Sequence, residues 1–241
     1  MHSPTRNRPT PLGAAPPQER RLPIAPLCPV RSVQFLLLAV PLCLPLANLL
    51  PSSAQAQSSP AHERIRRIAE RTRPEAPARA TRQRLRKYEA YIQYFSGLAY
   101  SRAGVSVNPD FVRALIAAES AARPNAISSD GAIGLLQIRP PTGRRAARAL
   151  HETGYDFRYV DRARLRSLKP KDLRDPAVNI LIGCYLLDRY NAEFGGHLAR
   201  TVGAWNAGAE RIRQYRGPPP FPETLGLIAR VNAFYLFFLR R

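Results

Sequence analysis

Apolar and polar residues follow a helical period through most of the second half of the chain. Between residues 81 and 100, Leu85, Tyr88, Ile92, Phe95 and Ala99 recur every three or four positions, which predicts one helix with an apolar face. No segment after residue 80 shows the strict two-residue alternation of a half-buried strand. The pattern therefore predicts an all-α fold.

Later helices are marked by their capping residues. Asn108, followed by a proline, predicts the start of a helix over DFVRALIAAES. Asp175, also followed by a proline, begins a nearly apolar stretch of about five turns, and we expect this helix to lie at the centre of the domain. The rest of the chain predicts two short helices divided at Gly208 and a last helix that starts at Pro222.

The amino-terminal part of the chain has a different character. Residues 1–56 contain arginines, the apolar run VQFLLLAVPLCLPLANLL and an AQA sequence at the end, which predict a signal peptide. The alternatives are an uncleaved anchor, which would associate the protein with the membrane, and a buried core segment. Residues 57–80 predict a flexible, partly disordered basic linker. The domain then spans residues 81–241 and includes the helix over 81–100, and we expect the protein to be exported to the periplasm or cell envelope.

The net charge of +20 favours an anionic partner. Nucleic acid, anionic lipid and the acidic polymer of the bacterial cell wall all satisfy that condition. Charge alone does not choose among them, but the export signal argues against nucleic acid. We expect a monomer that does not bind nucleic acid.

Cysteine and histidine usage points to no metal or cofactor. Cys28 and Cys43 lie in the signal sequence, so the processed chain keeps Cys184 alone, among apolar residues. A small buried hydrophobic residue is the simpler interpretation of Cys184 than a nucleophile. The four histidines are scattered without the spacing of metal ligands, and we expect neither a metal nor another cofactor.

Glu119 is the strongest candidate for chemistry. It lies at the end of an alanine-rich helix, just before the glycine-rich turn SSDGAIGLLQIRP. An apolar setting raises the pKa of a carboxyl group, and general acids are often tuned to a pKa of about 6–7. Of the later acids, Asp130 is more simply a turn residue before Gly131, and Glu223 is more simply a charge at a helix start.

The segments ES, DGAIGLLQIRP, DPAVNILIGCYLL, AWNAG and PETL, in this order, resemble the catalytic domain of soluble lytic transglycosylases, relatives of goose-type lysozyme. The resemblance spans roughly residues 88–241. It implies a lysozyme-like helical domain with a substrate groove. It also implies cleavage of the bond between N-acetylmuramic acid and N-acetylglucosamine in peptidoglycan strands, with formation of a 1,6-anhydromuramoyl end and no added water.

The same resemblance implies roles for individual residues. Glu119 would be the single catalytic group, first an acid and then a base. The residues implied in substrate binding share the matching motifs and are Ser120, Gln137, Trp205, Asn206 and Glu223. Ser120 would help to hold either Glu119 or the substrate. Trp205 stands where the family usually has tyrosine, and it keeps an aromatic face that can stack on a sugar.

Two features depart from the family pattern. Leu225 and Leu227 replace the arginine and tyrosine that are common after PET. A non-catalytic peptidoglycan-binding or assembly module with the same fold therefore remains an alternative. The segment 142–175 also looks expanded and basic. The arginines of this segment either line or cover the groove, or they belong to a solvent-exposed helical insertion. They are Arg144, Arg145, Arg148, Arg162, Arg164 and Arg166.

Overall fold

The computed structural model describes residues 72–101 and 106–240. The predicted signal peptide and residues 57–71 of the predicted linker lie outside the described residues. Within those that are described, the regular secondary structure is helical and no β-strand is present, so the all-α prediction is confirmed. The α-helices are α1 (Arg79–Arg86), α2 (Glu89–Ser96), α3 (Pro109–Ser120), α4 (Pro140–Glu152), α5 (Arg162–Arg166), α6 (Pro176–Glu193), α7 (Leu198–Ala207), α8 (Ala209–Gln214) and α9 (Pro222–Leu239), with a 3-10 helix over Pro170–Arg174 before α6.

Helix α6 is the central element, as predicted. The Asp175 side chain accepts a hydrogen bond from the backbone N–H of Ala177 at 2.9 Å and so caps its first turn. Over its first half nearly every residue is buried, because α2, α4 and α7 pack around it. Cys184 is among these buried residues, which confirms its predicted place in the core.

Helices α3, α7 and α9 form the part of the fold that brings the candidate site residues together. Helix α9 packs against both α3 and α7. Asn108 caps α3 as predicted, since its Oδ1 accepts a hydrogen bond from the backbone N–H of Asp110 at 2.8 Å. These packing relationships carry Glu119 on α3, Trp205 and Asn206 on α7, and Glu223 on α9 to one side of the domain.

The helix predicted over residues 81–100 is two helices. The chain leaves helical geometry at Lys87 and Tyr88 between α1 and α2, where the N–H groups bond three residues back rather than four. Residues 97–100 are not helical. The predicted apolar face is nevertheless buried at Leu85, Tyr88, Ile92 and Phe95. The prediction of a single helix was wrong because periodicity reports which face is buried and does not detect a bend.

The predicted flexible linker does not extend to residue 80. Pro77 is buried, and the backbone N–H of Glu75 donates to the carbonyl of Ala233 on α9 at 3.2 Å. Helix α1 then begins at Arg79. The end of the predicted linker is therefore attached to the domain. None of the helices in the described part of the chain has the length and apolar character needed to cross a bilayer.

Candidate active site

A cavity of about 640 Å³ opens between α3, α4, α6, α7, α8 and α9. Five of the six predicted site residues line it, namely Glu119, Gln137, Trp205, Asn206 and Glu223. Asp130, Arg139, Arg145, Arg211 and Thr224 also contribute to its walls. The sixth predicted residue, Ser120, is not part of the lining.

Glu119 lies on the last turn of α3, immediately before an unusual helix end. Ala121 and Ala122 both have left-handed backbone conformations, with φ of 50° and 59°. Left-handed geometry costs a residue with a β-carbon roughly 1–2 kcal/mol, so the surrounding structure must hold this turn in place. Ala122 is fully buried, and its N–H bonds to the carbonyl of Ile116. The chain therefore turns away sharply after Glu119, which leaves its carboxyl group at the cavity wall.

The pKa of Glu119 is raised to about 7. Burial of the carboxyl group is the largest cause, because desolvation penalises the charged form. A hydrogen bond from the Trp205 side chain and the nearby positive charge of Arg230 lower the pKa, while the negative charge of Glu223 raises it. The value agrees with the predicted range, and burial therefore keeps Glu119 protonated to a higher pH than an exposed glutamate.

Ser120 is a structural residue rather than part of the cavity wall. It is buried, and its hydroxyl donates to the carbonyl of Leu135 at 2.7 Å. The bond ties the end of α3 to the loop that carries Gln137. The predicted contact between Ser120 and substrate is not supported by this geometry, whereas the predicted help in holding Glu119 is consistent with it.

Asn179 on α6 shapes the glycine-rich loop, and the sequence analysis missed it. Its amide nitrogen donates to the carbonyls of Ile133 and Leu173 at 3.0 and 2.8 Å, and its Oδ1 accepts from the N–H of Leu136 at 2.9 Å. Gly134 has a φ of 85°, and a β-carbon at this position would lie 2.3 Å from the amide nitrogen of Asn179. A buried asparagine in an otherwise apolar helix is a signal that could have revealed this role.

Gln137 is held at the cavity by the same loop. Its backbone is left-handed, with φ of 46°, and its side-chain nitrogen donates to the carbonyls of Gly134 and Ala126 at 2.9 and 3.2 Å. The side-chain nitrogen is thus engaged within the loop. The amide oxygen of this side chain can accept a hydrogen bond from a sugar hydroxyl or N–H group.

A hydrogen-bonded group on α7 and α9 consists of Asn206, Glu223 and Thr224. The amide nitrogen of Asn206 donates to Glu223 Oε1 at 3.1 Å, and its oxygen accepts from the Thr224 hydroxyl at 2.5 Å. Thr224 is buried and was not among the predicted site residues. The group links α7 to α9 across the cavity wall and places a second carboxylate near Glu119.

The arginines of segment 142–175 do not act together. Arg145 lines the cavity, while Arg164 bonds Asp175 and Asp172 at 2.8 and 3.3 Å and so fixes the approach to α6. Arg162 donates to the carbonyl of Gly154. The cavity lining includes none of Arg144, Arg148, Arg162, Arg164 and Arg166, so lining the groove, one of the alternatives for this set, applies to Arg145 alone.

Asp130 and Arg139 form an ion pair at the cavity edge. Arg139 Nη2 lies 2.8 Å from Asp130 Oδ2, and both side chains are exposed. Asp130 lies in the turn before Gly131, as expected. Its carboxylate is exposed and paired with Arg139, and it therefore lacks the burial of Glu119.

The two leucines at which the sequence departs from the family that it resembles have different surroundings. Leu227 is buried in the core, and Leu225 is partly buried. Neither side chain can offer a hydrogen bond to Glu119 or to a sugar. The polar environment of Glu119 instead comes from Trp205, Arg230 and Glu223. In the described part of the chain, no group of histidine, cysteine, aspartate or glutamate side chains is arranged to hold a metal ion.

The order of these residues matches a known family over more than half of the chain. The Transglycosylase SLT domain aligns with residues 99–223, a range that includes all six predicted site residues. The chain belongs to the transglycosylase SLT domain family. Helices α1 and α2 precede the matched residues.

Individual members of this family are similar to the chain at moderate identity. The soluble lytic murein transglycosylase of Escherichia coli (strain K12) is 29% identical over 152 residues, covering 56% of this chain and 22% of that protein. The putative soluble lytic murein transglycosylase of Haemophilus influenzae is 27% identical over 167 residues, covering 64% and 26%. The chain thus spans about a quarter of the length of these curated relatives.

Solved structures agree with the assignment of the fold. The crystal structure of the 70 kDa soluble lytic transglycosylase from Escherichia coli matches with a TM-score of 0.51 at 26% identity, covering 64% of this chain and 24% of that one. Its complex with bulgecin A matches with a TM-score of 0.50 at 27% identity, covering 64% and 25%. The predicted lysozyme-like helical fold is confirmed by this likeness.

Proposed function

We propose that this SLT-domain chain is a peptidoglycan lytic transglycosylase. It cleaves the β-1,4 bond between N-acetylmuramic acid and N-acetylglucosamine and leaves a 1,6-anhydromuramoyl end. The observation that supports this most strongly is the position of Glu119, a partly buried carboxyl group with a pKa of about 7 on the wall of a large polar cavity. The relatives that carry the name lytic murein transglycosylase support the same substrate.

The first chemical step needs a proton donor. Neutral Glu119 gives its proton to the glycosidic oxygen as the bond from that oxygen to the anomeric carbon breaks. A pKa near the working pH gives the carboxyl group both a substantial protonated fraction and a useful acidity. The hydrogen bond from Trp205 then stabilises the carboxylate that forms.

The second step closes a ring within the sugar. The Glu119 carboxylate takes the proton from the 6-hydroxyl of N-acetylmuramic acid while that oxygen bonds to the anomeric carbon. One bond to the anomeric carbon is broken and one is formed, no water is consumed, and Glu119 regains its proton. The nucleophile belongs to the reacting sugar, so the reaction has the advantage of an intramolecular step.

The other carboxylates of the cavity have supporting roles in this proposal. Asp130 is paired with Arg139, and Glu223 accepts a hydrogen bond from Asn206. The negative charge of Glu223 helps to keep Glu119 protonated. Glu223 and Asn206 together bind the amide and hydroxyl groups of the sugars, Gln137 accepts a hydrogen bond through its amide oxygen, and Trp205 offers a ring face.

A non-catalytic peptidoglycan-binding or assembly module is the second candidate. It is favoured by Leu225 and Leu227, which remove two polar side chains that are common in the family. The raised pKa of Glu119 favours the enzyme, because a binding module gains nothing from a desolvated acid. Both candidates predict binding to cell walls, and only the enzyme predicts release of fragments.

The test is incubation of the protein with purified peptidoglycan sacculi. Binding is measured by co-sedimentation, and soluble fragments are analysed by mass spectrometry. We expect anhydro-ended fragments from the native protein and none from Glu119→Gln, with similar co-sedimentation for both. Sacculus binding by the native protein without soluble fragments would support the binding module and contradict the enzyme.

We also propose the arrangement of the whole chain. Residues 1–56 direct export, residues 57–71 form a linker, and the domain from residue 72 onward acts in the periplasm or cell envelope as a monomer. The composition of the first 56 residues supports this proposal. Protease protection in spheroplasts, with amino-terminal sequencing of the exported protein, tests both the location and the cleavage after Ala56.

A further inference from the structure

The side chain of Arg84 joins helix α1 to the end of helix α3. Its Nε–H donates to the carbonyl of Ala121 at 2.9 Å, and its Nη2 donates to the hydroxyl of Thr81 at 3.3 Å. Thr81 and Leu85 are buried, so α1 is packed against the domain on both sides of Arg84 in the sequence. The helix precedes residues 99–223, the part of the chain that matches the family.

The carbonyl of Ala121 is a group that needs a partner from outside its own helix. The N–H groups of Ala121 and Ala122 already bond to the carbonyls of Ala117 and Ile116. The last carbonyls of a helix have no donor within the helix, and here the chain turns through two left-handed alanines. A guanidinium supplies a charge-assisted bond and also suits the negative end of the helix dipole.

Helix α2 provides a second connection to α3. Arg113 bonds both carboxylate oxygens of Glu89, with Nε 3.1 Å from Oε2. The two amino-terminal helices thus hold α3 before and after Glu119, through Arg113 on one side and Ala121 on the other. Glu119 lies two residues before the carbonyl that Arg84 bonds.

We infer that Arg84 is a positioning residue for Glu119, because it fixes the left-handed end of α3. Helix α1, which lies outside the family match, therefore contributes to the geometry of the active site. This inference rests on the proposed function. A displacement of about 1 Å in a catalytic group can cost about a hundredfold in rate, and Arg84 restrains the backbone directly beyond Glu119.

The test compares Arg84→Met with Arg84→Lys and with Arg86→Met. Methionine keeps the stem and loses the donor, lysine keeps a charged donor, and Arg86 is an exposed residue of the same helix. We expect Arg84→Met to lower kcat about 10- to 100-fold with KM within about twofold, and to move the alkaline limb of the pH profile. Arg84→Lys should restore most of kcat, and Arg86→Met should leave both quantities unchanged.

A purely structural role for Arg84 predicts a different result. Arg84→Met would then lower the melting temperature and leave the kcat of the folded protein and its pH profile unchanged, which would overturn the inference. Equal losses in Arg84→Met and Arg86→Met would also overturn it. If Arg84→Met does not fold, Arg84→Leu, which also lacks a donor, takes its place, and equal kcat and pH profiles for the leucine and lysine variants would count against the inference.

A readout without activity separates this inference from the proposed function. The carboxyl carbon of Glu119 can be titrated by NMR in isotope-labelled protein, with Glu119→Gln to assign the signal. We expect a pKa near 7 in the native protein, the same value in Arg86→Met and a changed value in Arg84→Met. A native protein that releases no fragments would contradict the proposed function, and an unchanged Glu119 titration in Arg84→Met would contradict the positioning role.

Discussion

The side chain of Trp205 lies beside the carboxyl group of Glu119 and lowers its pKa as a hydrogen-bond donor. An indole N–H can only donate, so this bond favours the ionised form of Glu119, while burial favours the neutral form. The pKa of about 7 is the balance of these opposing effects. Stacking of the indole on a sugar stays a prediction from the sequence. The effect of Trp205 on the pKa of Glu119 is a separate role of the same side chain.

Replacing Trp205 with phenylalanine should raise the pKa of Glu119. The ring face remains but the donor is lost, so the ionised form loses its partner. We expect the alkaline limb of the kcat/KM profile to move upward by about one pH unit, because a hydrogen bond to a charged group contributes about 1.5–3 kcal/mol and solvent replaces part of it. Trp205→Tyr, which keeps an O–H donor, is the control. A limb that moves downward in Trp205→Phe would contradict this account of the pair.

Gly134→Ala should destabilise the fold much more than Gly131→Ala. Both glycines have positive φ, 85° and 74°. A β-carbon at Gly134 would lie 2.2 Å from the carbonyl oxygen of Leu173, whereas one at Gly131 would meet nothing within 4 Å. We expect a loss in the free energy of unfolding of about 1 kcal/mol for Gly131→Ala and at least about 3 kcal/mol for Gly134→Ala. Urea unfolding measures both, and equal losses would show that the contact with Asn179 and Leu173 does not constrain the loop.

Glu119 should make the protein less stable as the pH rises from about 5 to about 8. Its pKa is about 7 in the folded protein against a reference value of 4.5, so the folded state retains this proton in a range where the unfolded state has released it. Stability therefore falls as pH rises through that range. Glu119→Gln cannot ionise, and its drop in unfolding free energy over the range should be smaller by about 1–3 kcal/mol.

The comparison of the two proteins removes other contributions to that pH dependence. Asp188 is buried and its pKa is raised to about 6, so it acts in the same direction in both proteins. Denaturant titrations at several pH values measure the difference directly. An equal drop in native and Glu119→Gln proteins would mean that Glu119 ionises in the folded state as readily as in the unfolded chain.

The helix starts were predictable because they depend on local chemistry. Asn108 and Asp175 cap their helices through their own side chains, and such bonds connect residues close in sequence. Glu119, Gln137 and Asn206 were predicted from motifs that resemble those of the family. Their meeting at one cavity required the fold.

The missed features depend on contacts between distant parts of the chain. Asn179 bonds a loop some forty residues earlier, and Arg84 bonds Ala121 across a similar separation. Ser120 was assigned to the substrate, although its hydroxyl faces the interior. A sequence motif shows that a residue type is needed, but only the packing shows whether it faces the cavity or the core.

The fate of water in the reaction tests the central claim most directly. Peptidoglycan is digested in water enriched in oxygen-18, and the new ends are weighed by mass spectrometry. If Glu119 transfers a proton to the leaving oxygen and then takes one from the sugar's own 6-hydroxyl, the fragments carry anhydro ends without the heavy isotope, and Glu119→Gln releases none. Fragments with reducing ends that contain oxygen-18 would show hydrolysis and would contradict the account.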